Sequence, residues 1–335
     1  MLNIFKNQWL PIISVIYLSL VLISCQKEKE KKHISKSNEI MEYEAELELE
    51  IKAELGEGAF WNHETNKLYW VDIVGKALHI YNPISKTNQT FSTPSSIGTV
   101  VPTDVKNEAI VALEDGIYRI NIETGAFDLF CDVEKDKPGN RFNDGKCDPF
   151  GRFWVGSMAY SQAPYLASLY CIDENGVAIT KIDSVTISNG IVWTKDKKTM
   201  YYIDTPTKNI KVYDFDNETG NISNERIAVK VSDSLGFPDG MAIDENDKLW
   251  VGMWNGNAIL QFDPISGTLI SKVNVPAHNV TSCAFGGENL DVLYITTSSL
   301  DMTPEEQKKY PLAGSIFKVK TNTKGVKSSF FKTIK

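Results

Sequence analysis

The 335-residue sequence contains only four histidines and five cysteines, and neither type is clustered. The histidines lie at positions 33, 63, 79 and 278. This spread disfavours a His-based zinc centre, whose ligands come at short, regular spacings. Apart from Cys25, the cysteines are Cys131, Cys147, Cys171 and Cys283. They show neither the dense spacing of a disulfide framework nor the CxxC of a zinc site. Cys147 and Cys283 stand in apolar strand runs, so we expect buried thiols there and leave any disulfide pairing open.

The sequence also lacks the short motifs of several large enzyme classes. It has no GxSxG elbow, no P-loop and no GxGxxG, which disfavours triad hydrolysis, nucleoside triphosphate hydrolysis and nicotinamide redox chemistry. A formal net charge of −8 argues against nucleic acid or another polyanion as a partner. Nothing in the sequence indicates an obligate protein partner. Helical periodicity is nearly absent, and one short helical turn is expected at 304–309.

Long hydrophobic runs are missing except near the start of the chain. Lys6 precedes a mostly apolar run, Trp9–Ser24, and the run ends in Leu22-Ile23-Ser24-Cys25. This ending resembles a bacterial lipobox, in which the cysteine is lipidated. A transmembrane anchor is the alternative, but the run is short for one. We therefore expect a lipoprotein signal peptide at 1–24, and a lipid anchor at Cys25 with a charged linker over 25–43. We also expect attachment to the bacterial cell envelope through the lipid alone, on an unspecified membrane face.

Six runs of β-prone residues recur along the rest of the chain, roughly 45 residues apart. They are Leu68–Val71, Ala109–Ala112, Phe153–Val155, Met200–Ile203, Leu249–Val251 and Val292–Ile295. Neighbouring strand signals make each repeat a unit of four short strands. One four-stranded blade cannot bury both of its faces, but six blades packed radially can. Tryptophans are expected between the blades: Trp70, Trp154, Trp193 and Trp250. We therefore predict one all-β domain over 44–335, a six-bladed β-propeller.

The two ends of this domain carry expectations of their own. Residues 44–52 alternate polar and apolar side chains, which is typical of a half-buried strand. We expect this strand to be the outermost one of the last blade, because pairing between the chain ends closes the ring and leaves few exposed edges. The segment Ser328–Phe331 is a further candidate for a fourth strand.

Four repeats place an oxygen-bearing side chain before a glycine at the start of the first strand. The sites are Glu57-Gly58, Asn143-Asp144-Gly145, Asn189-Gly190 and Asp239-Gly240. Asp-Gly and Asn-Gly are ordinary hairpin turns, but here each precedes a strand instead of joining two. Because first strands line the channel of a propeller, rotation brings these oxygens to one end of it. Oxygen ligands select a hard cation, so we expect one Ca²⁺, with Mg²⁺, Mn²⁺ or Zn²⁺ as alternatives.

The motifs around these residues resemble those of the gluconolactonase/regucalcin (senescence marker protein) family across residues 50–320. They are Leu55-Gly56-Glu57-Gly58, Arg141-Phe142-Asn143-Asp144-Gly145-Lys146, Ser188-Asn189-Gly190 and Pro238-Asp239-Gly240-Met241. The resemblance implies a six-bladed propeller that hydrolyses a sugar lactone, with one divalent cation in its channel. It implies that Glu57, Asn189 and Asp239 bind the metal and that Asp239 is also the general base. It further implies that Arg141 and Asn143 bind the oxygens of the substrate.

The resemblance leaves other functions open. Asp144 and Lys146 fall inside the motif, where we expect them to shape the loop. Some family members carry acidic substrate contacts after Met158, whereas this chain has Ala159-Tyr160-Ser161-Gln162. The sequence therefore supports the reaction type better than a particular sugar. One alternative is an ester or phosphotriester hydrolase on the same frame, which an apolar channel mouth with Tyr160 and Trp254 would favour. The other is a non-catalytic binding propeller.

Overall fold

The computed structural model describes residues 40–334, which form six sheets arranged as a six-bladed β-propeller. Each blade begins with its innermost strand. The innermost strands of neighbouring blades contact one another all the way round the ring, so they line a central channel. The predicted all-β propeller is therefore confirmed. Within the described residues, no helix is long and apolar enough to span a bilayer.

The blades follow one another along the chain, and each runs outward from the channel. Blade one has β3 (Gly56–Asn62), β4 (Lys67–Asp72), β5 (Ala77–Asn82) and β6 (Thr87–Ser92). Blade two has β7 (Ile97–Pro102), β8 (Glu108–Leu113), β9 (Gly116–Asn121) and β10 (Phe127–Cys131). Blade three has β11 (Asn140–Cys147), β12 (Phe153–Ala159), β13 (Ala167–Ile172) and β14 (Ala178–Val185).

The second half of the chain repeats this order. Blade four has β15 (Ser188–Trp193), β16 (Thr199–Asp204), β17 (Asn209–Asp216) and β18 (Asn221–Lys230). Blade five has β19 (Phe237–Ile243), β20 (Leu249–Trp254), β21 (Ala258–Asp263) and β22 (Thr268–Asn274). Blade six has β23 (Asn279–Gly286), β24 (Val292–Ser298) and β25 (Ile316–Lys320). The expected helical turn is present as α1 (Pro304–Lys309), which Thr303 caps.

Two strands from the start of the domain close the ring. β2 (Glu46–Leu49) pairs antiparallel with β25 and supplies the outermost strand of blade six, as the alternating pattern predicted. β1 (Met41–Glu44) pairs parallel with β22 as a fifth strand of blade five. That pairing was not predicted, and it places residues 41–43, which we assigned to the linker, in the fold. The predicted signal peptide and Cys25 lie outside the described residues.

The segment Ser328–Phe331 does not form the outer strand expected of it, because β2 already occupies that edge. Instead, single bridges join Ser329 to Cys147 and Phe331 to Thr103. A third bridge joins Gly325 to Asp244. Cys147 ends β11, while Thr103 and Asp244 directly follow β7 and β19. Residues 325–331 therefore cross the ends of three innermost strands, on the side of the channel where those strands finish.

Aromatic side chains fill the spaces between blades, as predicted. Trp154 of blade three meets Trp193 of blade four edge-on, with their ring centroids 5.7 Å apart. Trp250 of blade five meets Phe285 of blade six at 5.6 Å. Such edge-to-face pairs stabilise a core beyond the area that they bury. The predicted buried thiols at Cys147 and Cys283 are confirmed, and the four cysteines of the described residues are unpaired.

Asp148, in the turn after β11, is a buried hub of hydrogen bonds. Its Oδ1 accepts hydrogen bonds from the backbone N–H groups of Phe150, Gly151 and Arg152. Its Oδ2 accepts from Arg152 Nε at 2.6 Å and from Trp154 Nε1 at 2.9 Å. Asp244 has the same place in blade five and accepts from Trp250 Nε1 at 3.0 Å. An aspartate six positions before an inter-blade tryptophan thus fixes both the turn and the indole.

Candidate functional site

All six innermost strands break their pairing with the next strand at equivalent positions. The register shifts fall at 57–60, 97–99, 142–145, 188–191, 238–241 and 280–283. A β-bulge inserts an extra residue and turns its side chain out of the normal alternation. The predicted oxygen–glycine pairs lie in these bulges, so they are not hairpin turns. Their repetition gives the channel a ring of redirected side chains at one end.

Three of the glycines in the bulges, Gly98, Gly190 and Gly240, are required by the close approach of neighbouring innermost strands. A Cβ on Gly190 would lie 2.8 Å from the carbonyl oxygen of Asp239 in the next blade. A Cβ on Gly98 would lie 2.6 Å from the carbonyl carbon of Phe142. Real side chains do not tolerate such distances, so glycine lets the strands converge. This explains why glycine also occupies the bulge of blade two, where no ligand-type side chain precedes it.

The five predicted site residues line one cavity of about 310 Å³ at this end of the channel. They are Glu57, Arg141, Asn143, Asn189 and Asp239. All five are buried, and we call them the floor of the cavity. They come from blades one, three, four and five. Only rotation of the repeat brings them together, as the sequence analysis expected.

The two carboxylates of the floor are neighbours, and Arg141 is the one cationic side chain that lines the cavity with them. Glu57 and Asp239 are 5% and 4% exposed, so water screens the interaction between their charges poorly. Burial, and then the charge of Asp144, raises the pKa of Glu57 to about 8. Burial, and then the charge of Glu57, holds the pKa of Asp239 well above its usual range. Two buried carboxylates this close cannot both ionise unless a positive charge joins them.

The two amides of the floor are held in a chain of hydrogen bonds. Asn143 Nδ2 donates to Asn189 Oδ1 at 2.9 Å and to the carbonyl oxygen of Ser188 at 2.7 Å. Asn189 Nδ2 donates to Thr205 Oγ1 at 2.7 Å, and this hydroxyl donates to the carbonyl oxygen of Pro238. These contacts fix which way both amides point. Sequence reasoning missed Thr205, because a threonine in a short turn after β16 carries no local signal.

Arg141 supplies the positive charge at the edge of the floor. Its Nη1 donates to Asn143 Oδ1 at 2.7 Å and to the carbonyl oxygen of Phe142 at 2.9 Å. Burial lowers the pKa of the guanidinium, while Tyr160 and the floor carboxylates act in the opposite direction. An arginine remains protonated in such a setting. Arg141 therefore presents its other N–H groups as donors to a ligand oxygen.

Asp144 and Lys146 lie outside this cavity. Asp144 Oδ1 accepts a hydrogen bond from Gly145 N, within its own bulge, at 2.8 Å. Lys146 Nζ donates to the carbonyl oxygen of Met241 in blade five. These contacts agree with the loop-shaping role expected of both side chains.

The floor has the donor set for a hard divalent cation. Glu57 and Asp239 contribute carboxylate oxygens, and Asn189 contributes an amide oxygen. Within the described part of the chain, the Oδ1 atom of Asp239 is buried and has no hydrogen-bond partner. Among residues 40–334, no three His, Cys, Asp or Glu side chains gather into a metal-binding group. The candidate site therefore depends on the amide as its third ligand.

Above the floor, the cavity has an apolar layer. Of the two aromatic residues considered for the channel mouth, Trp254 belongs to this layer and Tyr160 is not among the lining residues. The four half-buried lining residues are Ile187, Phe237, Trp254 and Leu300. We call them the wall. The exposed lining residues are mainly polar: Gln162, Pro206, Asn255 and Asp301. A ligand that reaches the floor therefore passes a polar rim and an apolar wall.

Comparison with known proteins agrees with this geometry. The profile of the SMP-30/Gluconolactonase/LRE-like region matches residues 55–299. The Bacillus subtilis (strain 168) protein YvrE, named as a candidate sugar lactone lactonase, is 38% identical over 282 residues, or 84% of this chain and 96% of its own. Regucalcin of Danio rerio is 35% identical over 281 residues, which is 82% of this chain and 93% of its own. The crystal structure of a calcium-binding protein, regucalcin, from Agrobacterium tumefaciens superposes with a TM-score of 0.83. The match covers 87% of this chain and 98% of that protein, at 23% identity, and shows a shared fold. The chain belongs to the SMP-30/gluconolactonase/LRE-like family.

Proposed function

We propose that this protein is a divalent-metal-dependent hydrolase that opens a lactone ring. One observation carries the proposal: Glu57 and Asp239 form a buried carboxylate pair beside the Asn189 amide, with one Asp239 oxygen unpartnered. Family membership and the lactonase name of the relative YvrE support the reaction class. Ca²⁺ is the cation that we favour, because the three candidate ligands all offer oxygen. A calcium-binding regucalcin among the structural neighbours supports the same choice.

The floor residues divide the work of hydrolysis between them. When bound, the cation supplies Lewis-acid polarisation of the lactone carbonyl and offsets the charge of the two carboxylates. Asp239 accepts a proton from water as the water oxygen bonds to the carbonyl carbon. The ring C–O bond then breaks, and the proton passes to the leaving alkoxide oxygen. Arg141 and Asn143 hold the oxygens of the substrate and so fix its orientation on the floor.

A second candidate substrate is an ester or lactone with an apolar substituent. The wall favours it, because a polyhydroxylated ring would place hydroxyl groups against Phe237, Trp254 and their two apolar neighbours. Burying a hydroxyl without a hydrogen bond costs free energy. An alkyl or aryl group would instead gain from burial there. The reaction chemistry on the floor is the same for both substrate classes.

Matched substrates separate these candidates. We expect purified protein with added Ca²⁺ to hydrolyse at least one of three compounds: glucono-δ-lactone, δ-decalactone and phenyl acetate. Chelation should abolish the reaction, and Trp254→Ala should lower kcat/KM only for the two apolar substrates. Preference for the sugar lactone with no effect of Trp254→Ala would remove the second candidate. Failure to hydrolyse any of the panel, with the fold intact by circular dichroism, would count against the lactonase proposal.

Removal of a candidate ligand should weaken cation binding without unfolding the propeller. We expect Glu57→Ala and Asn189→Ala to bind Ca²⁺ roughly 10- to 100-fold more weakly. Loss of a residue that only supports a metal ligand lowers metal affinity by this much, so loss of a ligand should lower it at least as far. Excess Ca²⁺ should restore part of the activity. Gln162→Ala is the control, since that side chain lines the same cavity at its exposed rim. Titration calorimetry that finds wild-type affinity in both ligand variants would show that the floor does not bind the cation.

We also propose that the protein is held at the bacterial cell envelope by a lipid on Cys25, with its propeller free of the bilayer. The apolar run before Cys25 and the charged residues after it support this. Wild-type protein should partition into membranes, and Cys25→Ala should escape cleavage at that position. Mass spectrometry of the mature N-terminus and fractionation check both outcomes. Recovery of mature wild-type protein only from the soluble fraction would refute the anchor.

A further inference from the structure

A second cavity, of about 200 Å³, lies at the other end of the channel. The bulges of the catalytic end sit near the starts of the innermost strands. This cavity is lined where those strands finish, by Cys147, Trp193, Ile243 and Phe285. Residues 326–329 of the C-terminal segment complete the lining. No residue is shared with the lining of the cavity that holds the floor.

The charged side chains that line this second cavity all have one sign. Its lining includes four lysines: Lys146, Lys195, Lys197 and Lys327. It includes no aspartate or glutamate from the described residues. None of the four lysines forms an ion pair with any residue between 40 and 334. In a chain with a formal net charge of −8, such a group creates a local positive potential that attracts anions.

The four lysines lie at different depths in the cavity. Lys195, Lys197 and Lys327 are exposed, so they stand at the mouth. Lys146 is half-buried, and its Nζ donates to the carbonyl oxygen of Met241. Two carboxylates lie close to the mouth. Asp196 is exposed between Lys195 and Lys197 in the chain, and Asp247 Oδ1 accepts a hydrogen bond from the backbone N–H of Lys195. Asp247 is not ion-paired with any of the four lysines within the described chain.

The interior of the cavity is mainly apolar, and its uncharged polar side chains are Thr194, Ser328 and Ser329. Phe60, Val192, Ile243 and Phe285 line it. Trp193 also lines it and is 7% exposed, and its Nε1 has no hydrogen-bond acceptor within the described residues. The cavity thus combines cationic groups with a mainly apolar surface.

We propose that this cavity binds a small carboxylate with an apolar body. The carboxylate of the ligand pairs with the ammonium groups of the lysines, and its apolar body packs between the aromatic and aliphatic side chains. A metal cation is excluded by the four positive charges, and a polyhydroxylated acid is disfavoured by the apolar lining. At about 200 Å³, the cavity is too small to enclose a nucleic acid or a peptide of several residues. The proposal does not depend on lactone hydrolysis, because the two cavities have separate linings.

Benzoate is the probe for this site, and benzyl alcohol is its neutral counterpart. We expect calorimetry on the Ca²⁺-supplemented protein to show saturable binding of benzoate and much weaker binding of benzyl alcohol. The double variant Lys195→Glu/Lys327→Glu should bind benzoate about tenfold or more weakly, because charge reversal turns attraction at the mouth into repulsion. Lys52→Glu is the matched control, as an exposed lysine outside the lining. It should bind benzoate as the wild type does.

Three outcomes would overturn the proposal: no benzoate binding to the wild type, equal binding of benzyl alcohol, or unchanged affinity in the double variant. The last result would place benzoate elsewhere, for example on the floor of the catalytic cavity. Lysines 195 and 327 are exposed, so their replacement should leave the fold intact, and circular dichroism checks this. Lactone hydrolysis should be unchanged in the double variant.

Discussion

Asp239→Asn is expected to lower kcat for lactone opening by about 10²- to 10⁴-fold with Ca²⁺ at saturation, the range that a general base contributes. The substitution keeps the shape of the side chain and one oxygen for the cation. It removes the carboxylate that we propose as the acceptor of the proton of water. Titrating Ca²⁺ to saturation separates the two roles that we give to Asp239. If its role were binding alone, saturating cation would restore most of the rate.

Asp144→Asn is the control for this experiment. It makes the same chemical change on a second buried carboxylate near the floor, but one that does not line the catalytic cavity. Its Oδ1 accepts from Gly145 N, a bond that the amide oxygen of asparagine can also accept. We therefore expect a much smaller loss of kcat. An Asp239→Asn enzyme within a few-fold of wild type at saturating Ca²⁺ would exclude Asp239 as the base.

Asp148→Ala is expected to lower the free energy of unfolding by about 3–5 kcal/mol, the usual cost of removing one partner from a buried ion pair. Asp148 is fully buried, and its loss leaves Arg152 Nε and the Trp154 indole without their acceptor. The turn that leads into β12 also loses three backbone hydrogen bonds. Urea denaturation followed by tryptophan fluorescence measures the change.

Asp196→Ala gives the comparison in blade four. Asp196 occupies the corresponding turn but is exposed, and it accepts from Thr194 Oγ1 and Lys198 N. Water can replace both of these contacts, so we expect a far smaller loss of stability. Equal urea midpoints for the two variants would show that the buried hub adds nothing beyond an ordinary turn.

The sequence predicted the blades well because their signal is local. Each second strand is a short apolar, β-prone run, and repetition at a fixed period needs no knowledge of the fold. The convergence of Glu57, Asn189 and Asp239 on one cavity was predicted for the same reason, since these residues recur in phase. That the pairs lie in bulges was not predicted, because the reason is the close approach of strands from different blades.

Features that depend on distant contacts escaped the sequence. The parallel pairing of β1 with β22 joins residues at opposite ends of the domain and has no pattern of its own. Ser328–Phe331 looks like a strand locally, yet the edge that it would have joined is already taken by β2.

Closure of the ring by β1 and β2 also sets the order in which the protein can fold. Glu46 pairs with Lys318, and Ile51 N donates to Ser315 Oγ across 264 residues of sequence. Contacts of such separation must overcome a large loop-closure entropy before they stabilise anything, so they form late and slow the folding reaction. The chain cannot complete its circle until its last blade has been synthesised. Once formed, the joint must open before the neighbouring blades can separate, which favours a slow rate of unfolding and a long-lived native state.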